Sequence, residues 1–369
     1  MPPPRRDLEK TRRILEEWFR ARLPAAREVA VGPLSGPAAT GFSSDTLLFD
    51  LAYEQDGERV ARALVCRAEP AGYGVFPSYD VTRQYRILEA LAATGVPVPR
   101  LVALERDPAR LGSRFFVMER VAGRIPSDNP PYHAGGWLTE SSPAERAAVW
   151  ESGLDALAAI HRCDPAALGI DFLDAPRPGD DTIAWQLAHW DRYVEWVAEG
   201  RRFPILEAAR AWLLANRPPA TTRRELCWGD ARIGNMIFDG GRVAAVLDWE
   251  MATLGPAEMD LGWFLLLDRH HCEGIGVPRL DGFPARAASI ARWEAGSGRR
   301  AEHVAFWELF AAYRFAAIMA RVAGQMQHFE VLPADSRFAW ENPMAALLAK
   351  MLDASASDRA ERTRPGGSR

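Results

Sequence analysis

Glu225–Asp260, ELCWGDARIGNMIFDGGRVAAVLDWEMATLGPAEMD, is the stretch on which the rest of the chain turns. Three short apolar runs within it, Leu226–Trp228, Met236–Phe238 and Val243–Leu247, read as buried strands. Asp230 and Asn235 lie five apart on the connection between the first two, so both side chains can enter one cleft, and Asp248 closes the third run. This is the set that phosphoryl transfer from a nucleotide needs. A carboxylate (Asp230) takes or orients the acceptor's proton, and amide and carboxylate oxygens (Asn235, Asp248) hold Mg²⁺. The stretch predicts a small-molecule kinase.

Composition sets the frame around that site. A chain of 369 residues has room for two lobes that each bury their own core, and 48% hydrophobic with 25% charged residues is ordinary globular usage. The net charge of −4, spread without long runs, argues against a nucleic-acid or membrane-surface partner. The four cysteines, Cys66, Cys163, Cys227 and Cys272, have no paired short spacing, which indicates neither disulfides nor a zinc site. The N-terminus passes into an amphipathic helix without an apolar segment, and no run reaches membrane-spanning length, so a cytoplasmic protein is expected. Oligomeric state is left open. Lys10 and Lys350 are the only lysines among 45 basic residues.

The motifs Trp228-Gly229-Asp230 with Asn235, followed by Asp248-Trp249-Glu250, resemble the aminoglycoside phosphotransferase family, a branch of the protein-kinase-like fold that also takes in choline kinases and acyl-CoA-dehydrogenase-associated kinases. The likeness runs from about Pro33 to the last helices, and the WGDARxGN loop is like that of actinobacterial-type phosphotransferases. It implies an α/β (α+β) two-lobed fold. Residues 1–120 would form a small β-rich nucleotide-binding lobe, residues 121–354 a larger and mostly helical lobe, and residues 355–369 a disordered tail. It also implies ATP or GTP as donor, Mg²⁺, and a small-molecule hydroxyl as acceptor.

Three departures stand out. Trp228 replaces the family's usual histidine, at a position that braces the loop. Neither lysine can serve as the strand lysine that grips the nucleotide phosphates, which leaves Arg67, at the end of the strand Val60–Arg67. Gln84, on the helix that starts near Asp80, stands in place of that lysine's glutamate. Arg carries its charge without help and offers phosphate a planar fork, so the pair is self-consistent. The departures also keep open an alternative, a nucleotide- or small-molecule-binding module that has lost catalysis.

The other expectations follow in chain order. The first helix packs on the first lobe. The small-residue turn SGPAATGFSSDT places Thr40, Gly41, Ser43 and Ser44 over the phosphates, or is a plain hairpin loop. The resemblance puts the interlobe hinge at Glu119–Gly123, where backbone groups of Glu119 and Val121 would hold an adenine ring. His161-Arg162-Cys163-Asp164 mimics a catalytic loop but closes an amphipathic helix, and reads as structural. Asp181–Gly200 is apolar on two faces and reads either as core or as acceptor-pocket wall. Trp185 and Trp196 are its candidate lining residues, and Glu250 reaches either the substrate or a second metal. Arg232 reads as a brace of the loop through a carboxylate, ahead of a phosphate contact, Trp249 as packing, and His270-His271-Cys272 as no metal site. The resemblance makes Asp260 a structural carboxylate that accepts loop N–H groups.

Overall fold

The computed structural model describes residues 6–36, 45–70, 72–173 and 175–363. Asp7 caps the first helix, α1 (Leu8–Arg22), by accepting from the Lys10 N–H, and the buried stripe Leu15, Trp18, Phe19 lies along it. Strands β1 (Arg27–Val31), β2 (Asp45–Gln55), β3 (Glu58–Ala68), β4 (Leu101–Glu105) and β5 (Phe115–Glu119) form an antiparallel sheet ordered β1-β2-β3-β5-β4. The hairpin between β2 and β3 turns on Asp56 and Gly57, both at positive φ (54° and 80°), the geometry that matches the twist of paired strands.

Alternation along β3 gives the sheet two different faces. Leu64, Cys66 and Ala68 join Phe115 and Val117 in a core under α1. Val65 faces the other way, with Phe116 and Met118, toward α2 (Val81–Leu91), and those residues belong to a core that continues into the helical lobe. The expectation of one private core per lobe therefore holds for the α1 side and fails for the α2 side, because α2 buries its stripe against both lobes. The same alternation sends Arg67 into the cleft.

The second lobe comprises α3 (Trp137–Glu140), α4 (Pro143–Arg162), α5 (Thr182–Ala198), α6 (Pro204–Ala215), β6 (Glu225–Cys227), β7 (Met236–Asp239), β8 (Arg242–Val246), β9 (Thr253–Gly255), α7 (Glu258–Cys272), α8 (Arg286–Ser297), α9 (Val304–His328) and α10 (Pro343–Thr363). Ser142 and Glu145 close a reciprocal capping box at the start of α4, and Asp181 caps α5. β6 pairs with β9 and β7 with β8, two small ribbons that carry the loops of the site. The last helix runs on to Thr363, which corrects the expectation of an unstructured tail from residue 355. Among the described residues, no helix is long and apolar enough to cross a membrane.

A strap joins the lobes away from the hinge. The loop before α2 offers three successive carbonyls to the helical lobe: Tyr73 O to Gln325 Nε2 (2.7 Å), Gly74 O to Arg321 Nε (2.9 Å) and Val75 O to the Tyr193 hydroxyl (2.9 Å). The Arg321 guanidinium lies over the Tyr73 ring at 3.6 Å and over Trp196 at 4.0 Å.

His270 and His271 are buried on α7, and burial lowers both, His270 to about 4. The unfolded chain takes up a proton below its ordinary 6.5, which the folded His270 refuses until about 4, so stability is lost as pH falls through that window. Urea unfolding at pH 7.5 and 4.5 should show an acid-side loss of which His270 accounts for at most roughly 3 kcal/mol. The loss should shrink in His270→Gln, and equal losses in the two proteins would rule out this histidine as the cause.

Candidate active site

The connection between β6 and β7 is shaped by one buried carboxylate. Asp260, in the first turn of α7 and fully buried, accepts the Trp228 N–H at 2.5 Å and the Gly229 N–H at 3.0 Å. Its third partner is His161 Nε2 at 3.2 Å, and Trp293 Nε1 donates to His161 Nδ1 at 2.9 Å, so the Nε2 of that ring carries the proton. The false catalytic motif at the end of α4 is thus a structural support. Gly229 sits at φ +94° with Met251 O only 2.2 Å from where a Cβ would be, so no other residue fits this turn.

Asp230 leaves the turn inside a ring of donors. Trp263 Nε1 reaches Oδ1 at 2.9 Å, Asn235 Nδ2 reaches Oδ2 at 2.6 Å, and Arg232 Nε lies 3.2 and 3.1 Å from the two oxygens. Arg232 also donates to Asp128 Oδ1 at 2.5 Å and to Asn235 Oδ1 at 3.1 Å. Burial works against its charge, but Asp230 and Asp128 overcome that and hold the guanidinium well above its ordinary value. Bracing, as expected, is what Arg232 does.

Asn235 and Asp248 are neighbours across the β7–β8 hairpin, where the Leu247 N–H donates to Asn235 O at 2.9 Å. Asp248 follows β8 at φ +57°, a left-handed conformation that Asp tolerates better than most residues. Trp228 fixes this corner: its Nε1 donates to Leu247 O (2.8 Å) and Asp248 O (3.0 Å). The indole ties the turn carrying Asp230 to the chain carrying Asp248. Trp249 lies beneath, 1% exposed.

Arg67 and Gln84 are buried, not surface residues, and they line one narrow cavity between the lobes together with Asp248 and Trp249. Arg67 Nη2 lies 3.3 Å from Asp248 Oδ1. Glu119 ends β5, pairs with Arg62 at 2.6 Å, and gives its N–H to Arg100 O at 2.8 Å; Val121 follows at the lobe junction. Thr40, Gly41, Ser43 and Ser44 lie outside the described residues.

The proposed acceptor residues are not brought together. Trp185 and Trp196 are eleven residues apart on α5, about 16 Å at helical rise. Trp185 stacks on His189, and one face of Trp196 is covered by Arg321. Glu250 is close to Tyr79, whose hydroxyl is pushed up to about 12 by burial first and by Glu250 to a lesser extent. Two residues of the Asp230 surroundings carry no sequence signal: Trp263, inside an apolar helix, and Asp128, in a proline-rich loop. A third, Arg314, comes from the aromatic-rich α9, which the sequence offers only as a far wall of the substrate site or as packing. Arg314 Nη2 reaches Gly229 O at 3.2 Å, and burial lowers its guanidinium to about 10, still charged at neutral pH. Among the described residues, no three His, Cys, Asp or Glu side chains form a metal-binding group, His270, His271 and Cys272 included.

A family model described as the APH phosphotransferase enzyme family matches residues 38–303. The chain belongs to this family. Of the solved structures, it is similar to one described as an aminoglycoside phosphotransferase of Ralstonia eutropha, at 28% identity and TM-score 0.67, covering 94% of this chain and 98% of that one. A mutant of the aminoglycoside phosphotransferase APH(4)-Ia bound to ADP and hygromycin B shares the fold (15% identity, TM-score 0.53, 96% and 99% covered). Among curated proteins, acyl-CoA dehydrogenase family member 11 of Gallus gallus is 32% identical over 68% of this chain and 30% of its own length. The rat protein of that name is 31% identical over 61% of this chain and 29% of its own. The chain thus spans under a third of these relatives, and it has the two-lobed, protein-kinase-like fold of the phosphotransferase enzyme family.

Replacing Trp228 by Phe removes the donor shared by two partly buried carbonyls. Stability should fall by about 1–2 kcal/mol in denaturant unfolding, the cost of partly buried acceptors left without this donor, and Trp228→His should recover part of it. A Phe variant as stable as the parent would remove the indole N–H as a brace.

Proposed function

We propose that this phosphotransferase moves the γ-phosphoryl group of ATP or GTP to the hydroxyl of a small molecule. The observation that carries the reading is the geometry around Asp230. Its carboxylate is oriented by Trp263, Arg232 and Asn235, one hairpin away from Asp248 and across the cleft from Arg67. Asp230 accepts the proton of the acceptor hydroxyl as oxygen attacks phosphorus, and its three donors keep it from turning away. Asn235 and Asp248 present oxygens suited to Mg²⁺, which commonly takes one or two protein ligands and fills its remaining positions with phosphate and water. Bound there, Mg²⁺ neutralises charge on the phosphates. Arg67 lies where a fork of N–H groups meets phosphate oxygens, with Gln84 beside it. Glu119 and Val121 offer backbone groups to the base, and Ser43 and Ser44 belong to the loop assigned to the phosphates.

The acceptor is an alcohol bearing an acyl or similarly amphipathic group, and not an aminoglycoside. A polycationic sugar needs several uncommitted carboxylates, and three of the acidic side chains in this lobe are already engaged by arginines. Asp191 is held by Arg210 at 2.5 and 2.6 Å, Asp128 by Arg232, and Glu199 by Arg321. The acyl-CoA dehydrogenase names of the curated relatives point the same way. Kanamycin-type compounds should show no turnover with Michaelis constants in the usual 1 µM–1 mM range, whereas hydroxylated acyl compounds should release ADP in a coupled assay. The reverse ranking would overturn this choice of acceptor.

A second reading, a binder without catalysis, is favoured by the Arg67–Asp248 contact, which engages a proposed metal ligand with the proposed phosphate clamp. Asp230→Asn separates the two. The near-isosteric amide leaves the loop in place but cannot take the proton, so single-turnover transfer should fall ~10²- to 10⁴-fold while Mg-nucleotide affinity stays within a few fold. A variant as fast as the parent excludes Asp230 from the chemistry. A parent that binds nucleotide yet transfers to nothing in a broad panel supports the binder.

A further inference from the structure

Arg314 is a cation in a place that chemistry alone would give to a methionine. It is 1% exposed, pairs with no carboxylate among the described residues, and makes one hydrogen bond, from Nη2 to Gly229 O; its Nε and Nη1 have no hydrogen-bond partner. Its guanidinium lies between two indoles, 4.6 Å from the Trp190 ring centroid and 4.5 Å from that of Trp263. An apolar side chain of the same length would fill the slot without the desolvation penalty of a buried charge. What the charge does is indicated by where the second indole leads. Trp263 presents its face to Arg314 and its Nε1–H to Asp230 Oδ1. A cation on an indole face is drawn to the ring's negative potential and polarises the ring so that the edge N–H becomes a better donor. Gly229, the other anchor, sits in a turn where added bulk would meet Met251 O, so its carbonyl has a fixed direction.

We propose that Arg314 is a positioning residue for Asp230: it grips the loop at the Gly229 carbonyl and, through the face of Trp263, sets the indole N–H that holds Oδ1 of the aspartate. Three helices, α5, α7 and α9, converge on the base through this one stack. The inference rests on the reading of Asp230 as the group that takes the acceptor's proton, and one of its two measurements needs no acceptor.

The experiment uses the full chain in four variants: Arg314→Met, Arg314→Lys, Trp263→Phe, and the Met and Phe changes combined. The first measurement is ¹⁵N-indole NMR, with the Trp263 N–H peak assigned by its loss in Trp263→Phe. In Arg314→Met that peak should shift and exchange with solvent at least tenfold faster, while the other indoles, apart from its stacking partner Trp190, stay in place. Arg314→Lys, which keeps the charge, should fall between. The second measurement is transfer kinetics. The expectation is a kcat down ten- to a hundredfold in Arg314→Met and in Trp263→Phe, an unchanged Mg-nucleotide Kd, and a double variant no slower than the slower single one, because both act through one contact. An unmoved Trp263 peak, multiplicative losses in the double variant, or a Kd that worsens in step with kcat would each overturn the proposal. If Arg314→Met does not fold, Arg314→Lys carries the same readouts. A shifted peak in a protein that phosphorylates nothing would uphold the stack while refuting the transferase reading.

Discussion

The carboxylate of Asp260, fully buried at the start of α7, is the contact on which the Asp230 loop depends. A polar group in so dry a place is tolerable only with its oxygens engaged, and two backbone N–H groups of the loop and the Nε2–H of His161 engage them. The loop therefore closes around Asp260. Trp293 fixes the tautomer of His161, so a helix far along the chain takes part in holding the turn that delivers Asp230. The loop is also tied from above, by the Trp228 indole to the carbonyls at Leu247 and Asp248, and from the side by Arg314.

Arginine does nearly all the cationic work here, and the structure indicates why that matters. Lysine presents a single point of charge, whereas Arg232 spans three side chains at once: both oxygens of Asp230, the carboxylate of Asp128 and the amide oxygen of Asn235. Arg321 and Arg314 use the flat face of the same group, lying against aromatic rings while their N–H edges meet backbone carbonyls. A chain this poor in lysine has built its cleft from planar cations.

What could be read in advance was whatever is local. Asp80 and Asp181 announce helix starts because a short side-chain oxygen satisfies an N–H two or three residues on. The strand expected at Val60–Arg67 lies within β3, and the loop from Asp230 to Asn235 carries its spacing in the sequence itself. Contacts between distant segments were not legible. Trp263 and Asp128 reach the site from 33 and 104 residues along the chain, measured to Asp230 and Arg232, and nothing near either of them marks the fact. Helix α6 went unassigned, and Trp185 and Trp196 were grouped by helix face with no account of the distance between them. The shared core was missed because the second face of β3 looks like any alternating strand until the buried stripe of α2 is seen to join the core of the helical lobe.

The strap at Tyr73–Val75 has a mechanical consequence. With the chain crossing after β5 at Glu119–Val121, it is one of several ties between the lobes: the Val246 N–H donates to Pro97 O at 2.8 Å, and Arg83 donates to Ala252 O. These ties sit beside a core that α2 shares with the helical lobe. Moving one lobe against the other therefore means breaking hydrogen bonds at each of these places, and not only bending the chain at the crossing.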